Sequence, residues 1–189
     1  TSDYLKILKF VLKYIDMKKI LLLLLIFTFV FSCKSDKKEQ EVVKSDVTTY
    51  YLIRHAEKDR RTKTMDPQLT EVGLKRAENW SKVFKDVSFD KIYSTHYKRT
   101  QQTAAPTAKS KGLEVLSYDT ENLFNEEFKT QTEKQSVLIV GHSNTTPAFV
   151  NAIVGKQEYS QINDSDNGKL FIVTIDDGIS SVIIEDHNE

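Results

Sequence analysis

From Thr48 onward, short β-rich runs alternate with helical stretches, and that alternation restricts the fold more than any other feature of the chain. Thr48 to Ile53 (TTYYLI) reads as a strand that ends abruptly in the polar pair Arg54-His55. A helix is expected from Thr70 to about Phe84, with Thr70 as its N-cap and Leu74, Ala77, Val83 and Phe84 as inward residues. Lys91 to Ser94 is a second short strand, Lys98 to Lys111 reads as helical despite Pro106, and Leu113 to Ser117 is a third strand. Ser136 to Val140 (SVLIV) is the clearest buried strand. It runs into Gly141-His142-Ser143-Asn144 and a helix near Thr146 to Val154, where Pro147 suits a first turn. Finally, Leu170 to Ile175 and Ser180 to Glu185 flank Asp176-Asp177-Gly178, a hairpin signal. The expected fold is α/β and doubly wound: a mostly parallel sheet with helices on both faces and a C-terminal antiparallel hairpin. Such sheets hold ligands beyond the carboxyl ends of their strands, where Arg54-His55 and Gly141-His142 fall.

Composition narrows the function classes. The 27 basic and 27 acidic residues cancel, which removes the electrostatic case for nucleic acid as a partner. A single cysteine excludes a disulfide framework within the chain and a cysteine-rich zinc site. The 189 residues suffice for one domain with an appendage.

The appendage lies at the amino end. Ile20 to Phe31 is an apolar run interrupted only by Thr28, and it follows Lys18-Lys19 directly after Met17, the grammar of a signal peptide. The run is shorter than the roughly 20 residues that cross a bilayer. Val30-Phe31-Ser32-Cys33 resembles the lipobox of bacterial lipoproteins, in which the cysteine is acylated and the chain cut before it. That resemblance implies lipidation at Cys33 and an extracytoplasmic protein anchored in the bacterial cell envelope. Residues Thr1 to Asp16 precede the plausible start Met17 and are read as an upstream extension, although Lys6, Lys9 and Lys13 at helical spacing also suit a membrane-surface helix. Lys34 to Asp46 is charged, without glycine, proline or aromatic residues, and reads as a disordered tether. The expected organisation is thus 1–32 extension and signal peptide, 33–47 tether, and 48–189 folded domain.

Arg54-His55 at a strand end resembles the Arg-His-Gly signature of the histidine phosphatase superfamily, with Ala56 in the third place. The family's other features follow in order. Leu69-Thr70-Glu71-Val72-Gly73 with Ala77 resembles the start of its first long helix. Ser94 to Ala104 (STHYKRTQQTA) resembles its Ser-x-x-x-Arg-Ala/Thr-x-x-Thr-Ala segment, and Gly141-His142-Ser143-Asn144 completes the set. The resemblance covers about Tyr51 to Gly155. It implies a phosphoglycerate mutase-like fold, His55 as the nucleophile, Arg54 and Arg99 as phosphate ligands, and His142 as a donor to a phosphoryl oxygen.

The chemistry of these residue types suits that reading. A phosphate monoester is dianionic, and guanidinium forks match its oxygens. Imidazole is largely neutral near pH 7 and nucleophilic through nitrogen, so His55 can attack phosphorus and form a phosphohistidine that water hydrolyses. No metal or other cofactor is required. A leaving group also needs a proton. Asp119, Glu121, Glu126 and Glu127 fall in the region from which many family members draw a general acid, and Glu126 or Glu127 is the expectation. Lys58 is placed at the pocket rim as an anion contact, Ser143 and Asn144 as further substrate contacts or a helix cap, and Glu57 as the partner of a neighbouring base. His96 and His187 are expected to have no part in the site.

Arg99 and His142 lie only 43 positions apart, too close for a large cap, so an open pocket for a bulky phosphorylated small molecule or phosphoprotein is expected. Hydrolysis is favoured over phosphomutase activity. A non-catalytic lipoprotein that binds a phosphorylated ligand with the same arginines is the competing reading, and a histidine-carboxylate metal protein is a third that no local spacing supports.

Overall fold

The computed structural model describes residues 3–10, 13–14 and 46–188. The chain divides into two units, Thr1–Val42 and Val43–Glu189. In the first, residues 3–10 and 13–14 are helical and exposed. The apolar run, Cys33 and the tether up to residue 45 lie outside the described residues. No helix among the described residues is long and apolar enough to cross a membrane.

The second unit is built on six strands: β1 (Thr48–Arg54), β2 (Lys91–Ser94), β3 (Val115–Ser117), β4 (Ser136–Gly141), β5 (Lys169–Asp176) and β6 (Ile179–Asp186). Their spatial order is β3-β2-β4-β1-β5-β6. The first four run parallel, while β5 and β6 are antiparallel additions at the β1 side. The helices are α1 (Glu71–Val83), α2 (Lys98–Lys111), α3 (Glu126–Thr132) and α4 (Thr145–Val154).

The strands bury alternate residues into two separate cores, which is why helices cover both faces. On one face Tyr50, Leu52, Val137 and Ile139 pack with Phe128 of α3 and Phe149 of α4. On the other, Ile53, Leu138 and Val140 pack with Trp80 and Phe84 at α1 and with Ala104 and Ala108 of α2. Central β4 is thereby buried on both sides, as its unbroken apolar run demands.

Helix α1 corrects one expectation. Thr70 caps it by accepting from the Gly73 amide, but Leu74 is exposed and the inward stripe is Gly73, Ala77 and Trp80. The reason is a close approach: a side-chain carbon at Gly73 would fall on the carbonyl oxygen of Glu57, so this edge of the helix lies flat on the loop after β1. Leu74, one residue round the helix, then points to solvent. The third strand is shorter than expected, because Gly112 in the left-handed conformation ends α2 and Leu113 donates back to the Ala108 carbonyl. The acidic segment without clear pattern contains α3, capped by Asn125, which accepts from Phe128 N. The last hairpin turns on Asp177 and Gly178, both with positive φ, the two-residue turn that an Asp-Gly pair favours.

Candidate active site

The parallel register between β1 and β4 sets Arg54 opposite Gly141, and that between β2 and β4 sets Ser94 opposite Val140. The residues that follow these strands therefore emerge side by side: His55, His142 and Thr95. Helix α2 begins at Lys98 and carries Arg99 to the same rim. The result is a cleft of about 400 Å³ to which Arg54, His55, Lys58, Arg99, His142, Ser143 and Asn144 all contribute.

His55 is held from three directions. Its amide donates to the Gly141 carbonyl at 2.9 Å, its carbonyl accepts from Asn167 Nδ2 at 2.8 Å, and its Nδ1 lies 2.7 Å from the Ala56 carbonyl. A carbonyl oxygen only accepts, so Nδ1 carries the proton and Nε2 keeps the lone pair. Burial drives the His55 pKa down to about 3; the Ala56 bond opposes this, and the charges of Arg54, His142 and Arg99 add to it. The ring is thus a neutral base at pH 7. Ala56, in the place of the family's glycine, is fully buried against Leu69 and Ala77, and its amide donates to Thr103 Oγ1.

The second ring stands close by. The centroids of His55 and His142 are 5.5 Å apart at 69°. His142 Nε2 meets Thr95 Oγ1 at 2.9 Å, and the ring also contacts Tyr97 edge-on. Burial and the charges of Arg99, Lys58 and Arg54 lower its pKa to about 4.

The cations surround these rings. Arg54 is 2% exposed; its Nη1 donates to the carbonyls of Asn163 and Asp166 and its Nη2 pairs with Asp164 Oδ1 at 2.6 Å. The Arg99 guanidinium lies over the Tyr97 ring at 4.2 Å, and Nη1 is 3.8 Å from Asp66 Oδ1. Three cations, Arg54, Lys58 and Arg99, therefore face a cleft whose lining holds one carboxylate, Asp164. Such a field attracts and orients a compact polyanion.

Helix α3 does not bring Glu126 or Glu127 to the cleft lining. Both occupy the first turn of α3 on its exposed side, where Glu126 pairs with Lys129 and Glu127 accepts from Gln131. The segment after β3 contributes Thr120 to the cleft instead. Glu57 pairs with Arg76 at 2.8 Å, the neighbouring base that its place two residues after His55 suggested. His96 meets Ser117 at the surface, and His187 pairs with Glu185 and packs edge-on against Trp80. Sequence reasoning missed Asp164, Tyr97, Thr95 and Asp66. Asp164 belongs to a polar run, Asn163 to Asn167, with no spacing that points to Arg54.

Among the described residues, no group of three or more His, Cys, Asp or Glu side chains is placed to share a metal ion.

Residues 50–126 match the histidine phosphatase superfamily, branch 1. A curated relative, phosphoserine phosphatase 1 of Hydrogenobacter thermophilus, is 38% identical over 73 residues, which are 36% of this chain and 35% of the relative. The match thus spans about a third of that relative's length. A phosphoserine phosphatase from Entamoeba histolytica, solved with phosphoserine, shares the fold with a TM-score of 0.59 and 15% identity, covering 75% of this chain and 97% of that one. The α-ribazole phosphatase from Shigella flexneri has a TM-score of 0.58 and 17% identity, covering 74% and 96%. The match to the histidine phosphatase superfamily thus covers residues 50–126 of this chain, and the two solved phosphatases share its fold.

Proposed function

We propose that the protein is a phosphatase that hydrolyses a phosphate monoester or phosphoramidate through a phosphohistidine on His55. One observation carries this reading: the Ala56 carbonyl holds the His55 proton on Nδ1, so the lone pair of Nε2 is available beside Arg54, Arg99 and His142. Nε2 attacks phosphorus while the guanidinium groups hold the non-bridging oxygens. The bond to the leaving oxygen or nitrogen breaks, and water then attacks the phosphohistidine to return His55 and release phosphate. The relatives named above are phosphoserine and α-ribazole phosphatases, which supports phosphoryl hydrolysis and leaves a range of phosphorylated small molecules or phosphoproteins as substrate.

Turnover of p-nitrophenyl phosphate by the wild type and by His55→Ala, each with and without a chelator, tests this. Hydrolysis lost in His55→Ala and insensitive to the chelator supports the reading. Equal rates in the two proteins would reduce the domain to a phospho-ligand-binding module with adventitious activity.

The same proposal includes an address. Lys18-Lys19, the apolar run to Phe31 and Ser32-Cys33 support a lipid anchor on Cys33 that holds the domain on the outer side of a bacterial membrane. Labelling with a palmitate analogue in a bacterial host should mark the wild type and not Cys33→Ser.

A further inference from the structure

The donors around His142 can be assigned one by one. Thr100 Oγ1 lies 2.7 Å from the Tyr97 carbonyl and 3.1 Å from the Thr95 carbonyl. Carbonyls only accept, so the single hydroxyl proton of Thr100 is committed to them. Thr95 Oγ1 is 2.8 Å from Thr100 Oγ1, and with the Thr100 proton spent, Thr95 is the donor in that pair. Thr95 then has no proton for His142 Nε2 at 2.9 Å, so the imidazole must donate. Both threonines are buried, Thr95 at 3% and Thr100 at 0% exposure, which leaves bulk water no part in the chain of bonds. His142 therefore carries its proton on Nε2. Its Nδ1 has no hydrogen bond to a described residue, and as His142 lines the cleft, Nδ1 is the nitrogen left to a ligand.

A neutral His142 would meet a phosphoryl dianion with a lone pair, which repels it. The groups that face the ring decide whether it stays neutral. Arg99 and Tyr97 come from the start of α2, Arg54 and His55 from the end of β1, and Lys58 from the loop beyond; Asp164 shares the cleft, and the Tyr118 hydroxyl lies beside Gly141. Arg99, Lys58 and Arg54 join burial in keeping the ring unprotonated. A bound dianion offsets those three cations and sets negative charge beside Nδ1, which favours the imidazolium.

We propose that the buried Thr95–Thr100 hydroxyl chain fixes the His142 proton on Nε2, so that a phosphoryl dianion draws a second proton onto Nδ1 and that proton passes to the leaving oxygen. The transfer step rests on the phosphatase reading above. As His55 Nε2 forms its bond to phosphorus, the P–O bond breaks and its electron pair takes the proton from Nδ1, returning neutral His142 and releasing an alcohol. In the second half, water attacks the phosphohistidine, its proton goes to Nδ1, and the P–N electron pair returns to His55. Atoms and charge balance as one water consumed for one alcohol and one hydrogen phosphate. His142 is then the acid that Glu126 and Glu127 are not placed to supply, and Thr95 and Thr100 are positioning residues.

The test uses the protein labelled with ¹⁵N-histidine at pH 7, with sulfate as probe because it remains a dianion and cannot itself take up a proton there. His142→Gln assigns the signal. The expected free state has Nε2 protonated and Nδ1 bare, and saturating sulfate protonates both. Thr95→Val should mix the two tautomers, and Thr95→Ser should restore one. A free ring with its proton on Nδ1, or a ring unchanged by sulfate, would overturn the proposal even if Thr95→Val fails to fold. A second arm reads the transfer: His142→Gln should slow phenyl phosphate at least ~10-fold more than p-nitrophenyl phosphate, whose leaving group needs little protonation. Equal slowing would overturn the transfer step. A wild type without turnover but with an intact sulfate response would overturn the phosphatase reading and the transfer, while upholding the assigned protonation.

Discussion

Arg54 and Asp164 form an ion pair at 2.6 Å although 110 positions separate them in the chain. Arg60 pairs with the other oxygen of the same carboxylate, so Asp164 lies between two guanidinium groups at the edge of the cleft. Its negative charge competes with any anion for Arg54 Nη2, whereas Nη1 remains fixed by the carbonyls of Asn163 and Asp166. Asp164→Asn should therefore leave Arg54 in position and lower the KM for a phosphorylated substrate about 2–5-fold, the scale of one partly exposed pair. Steady-state kinetics at low salt measure this, and an increase in KM would show that the carboxylate orients Arg54 instead.

Asp66 serves two neighbours at the start of α2. It accepts from the Lys98 amide at 2.8 Å, a cap that Tyr97 does not supply, and it stands 3.8 Å from Arg99 Nη1. Asp66→Ala should cost about 1 kcal/mol of stability through the lost cap, whereas Asp66→Asn, which keeps an acceptor, should cost less. Both should also lower KM by about 2-fold, since both remove a carboxylate whose charge competes with a bound anion for Arg99. Urea titrations and kinetics on the two variants separate the effects.

Gly73 lies against the Glu57 backbone two residues beyond His55, and Thr70 and Arg76 fasten the same helix edge to Glu57. Gly73→Ala improves helix propensity by ~1 kcal/mol, yet it forces the loop away from α1. A net destabilisation of about 1–3 kcal/mol is expected, together with a fall in turnover. Chemical denaturation gives the first and initial rates the second.

Both cleft histidines have folded-state pKa values depressed from 6.5, to about 3 for His55 and about 4 for His142. The unfolded chain binds more protons than the folded one between those values and about 6.5. Their contribution to stability is fully present above about pH 6.5 and is lost as pH falls toward about 4 for His142 and about 3 for His55. His55→Gln removes one of the two groups, so Tm should fall less steeply from pH 6.5 to 4.5 than in the wild type. Thermal melts across that range check the slope.

Much of this site could be read from residue order alone, for a physical reason. Arg54-His55 and Gly141-His142 each follow a strand whose own apolar pattern is unambiguous, so a parallel sheet brings their ends together whatever the loops do. Arg99 follows because it opens the helix after β2. What escaped depends on contacts between distant segments. Leu74 looks inward on an isolated helix, and only the approach of Gly73 to Glu57 turns it out. Asp164 and Asp66 lie in polar loops without periodicity, and their partners are fixed by tertiary placement. Glu126 and Glu127 stand in the stretch of chain to which the sequence pointed for an acid, but α3 turns them to solvent.

The central claim concerns the bond between His55 Nε2 and phosphorus. Rapid quenching of the protein with a ³²P-labelled substrate tests it most directly. The account predicts label on the protein that survives base, is lost in acid and is absent from His55→Ala. Acid-stable label, or label that persists without His55, would contradict it.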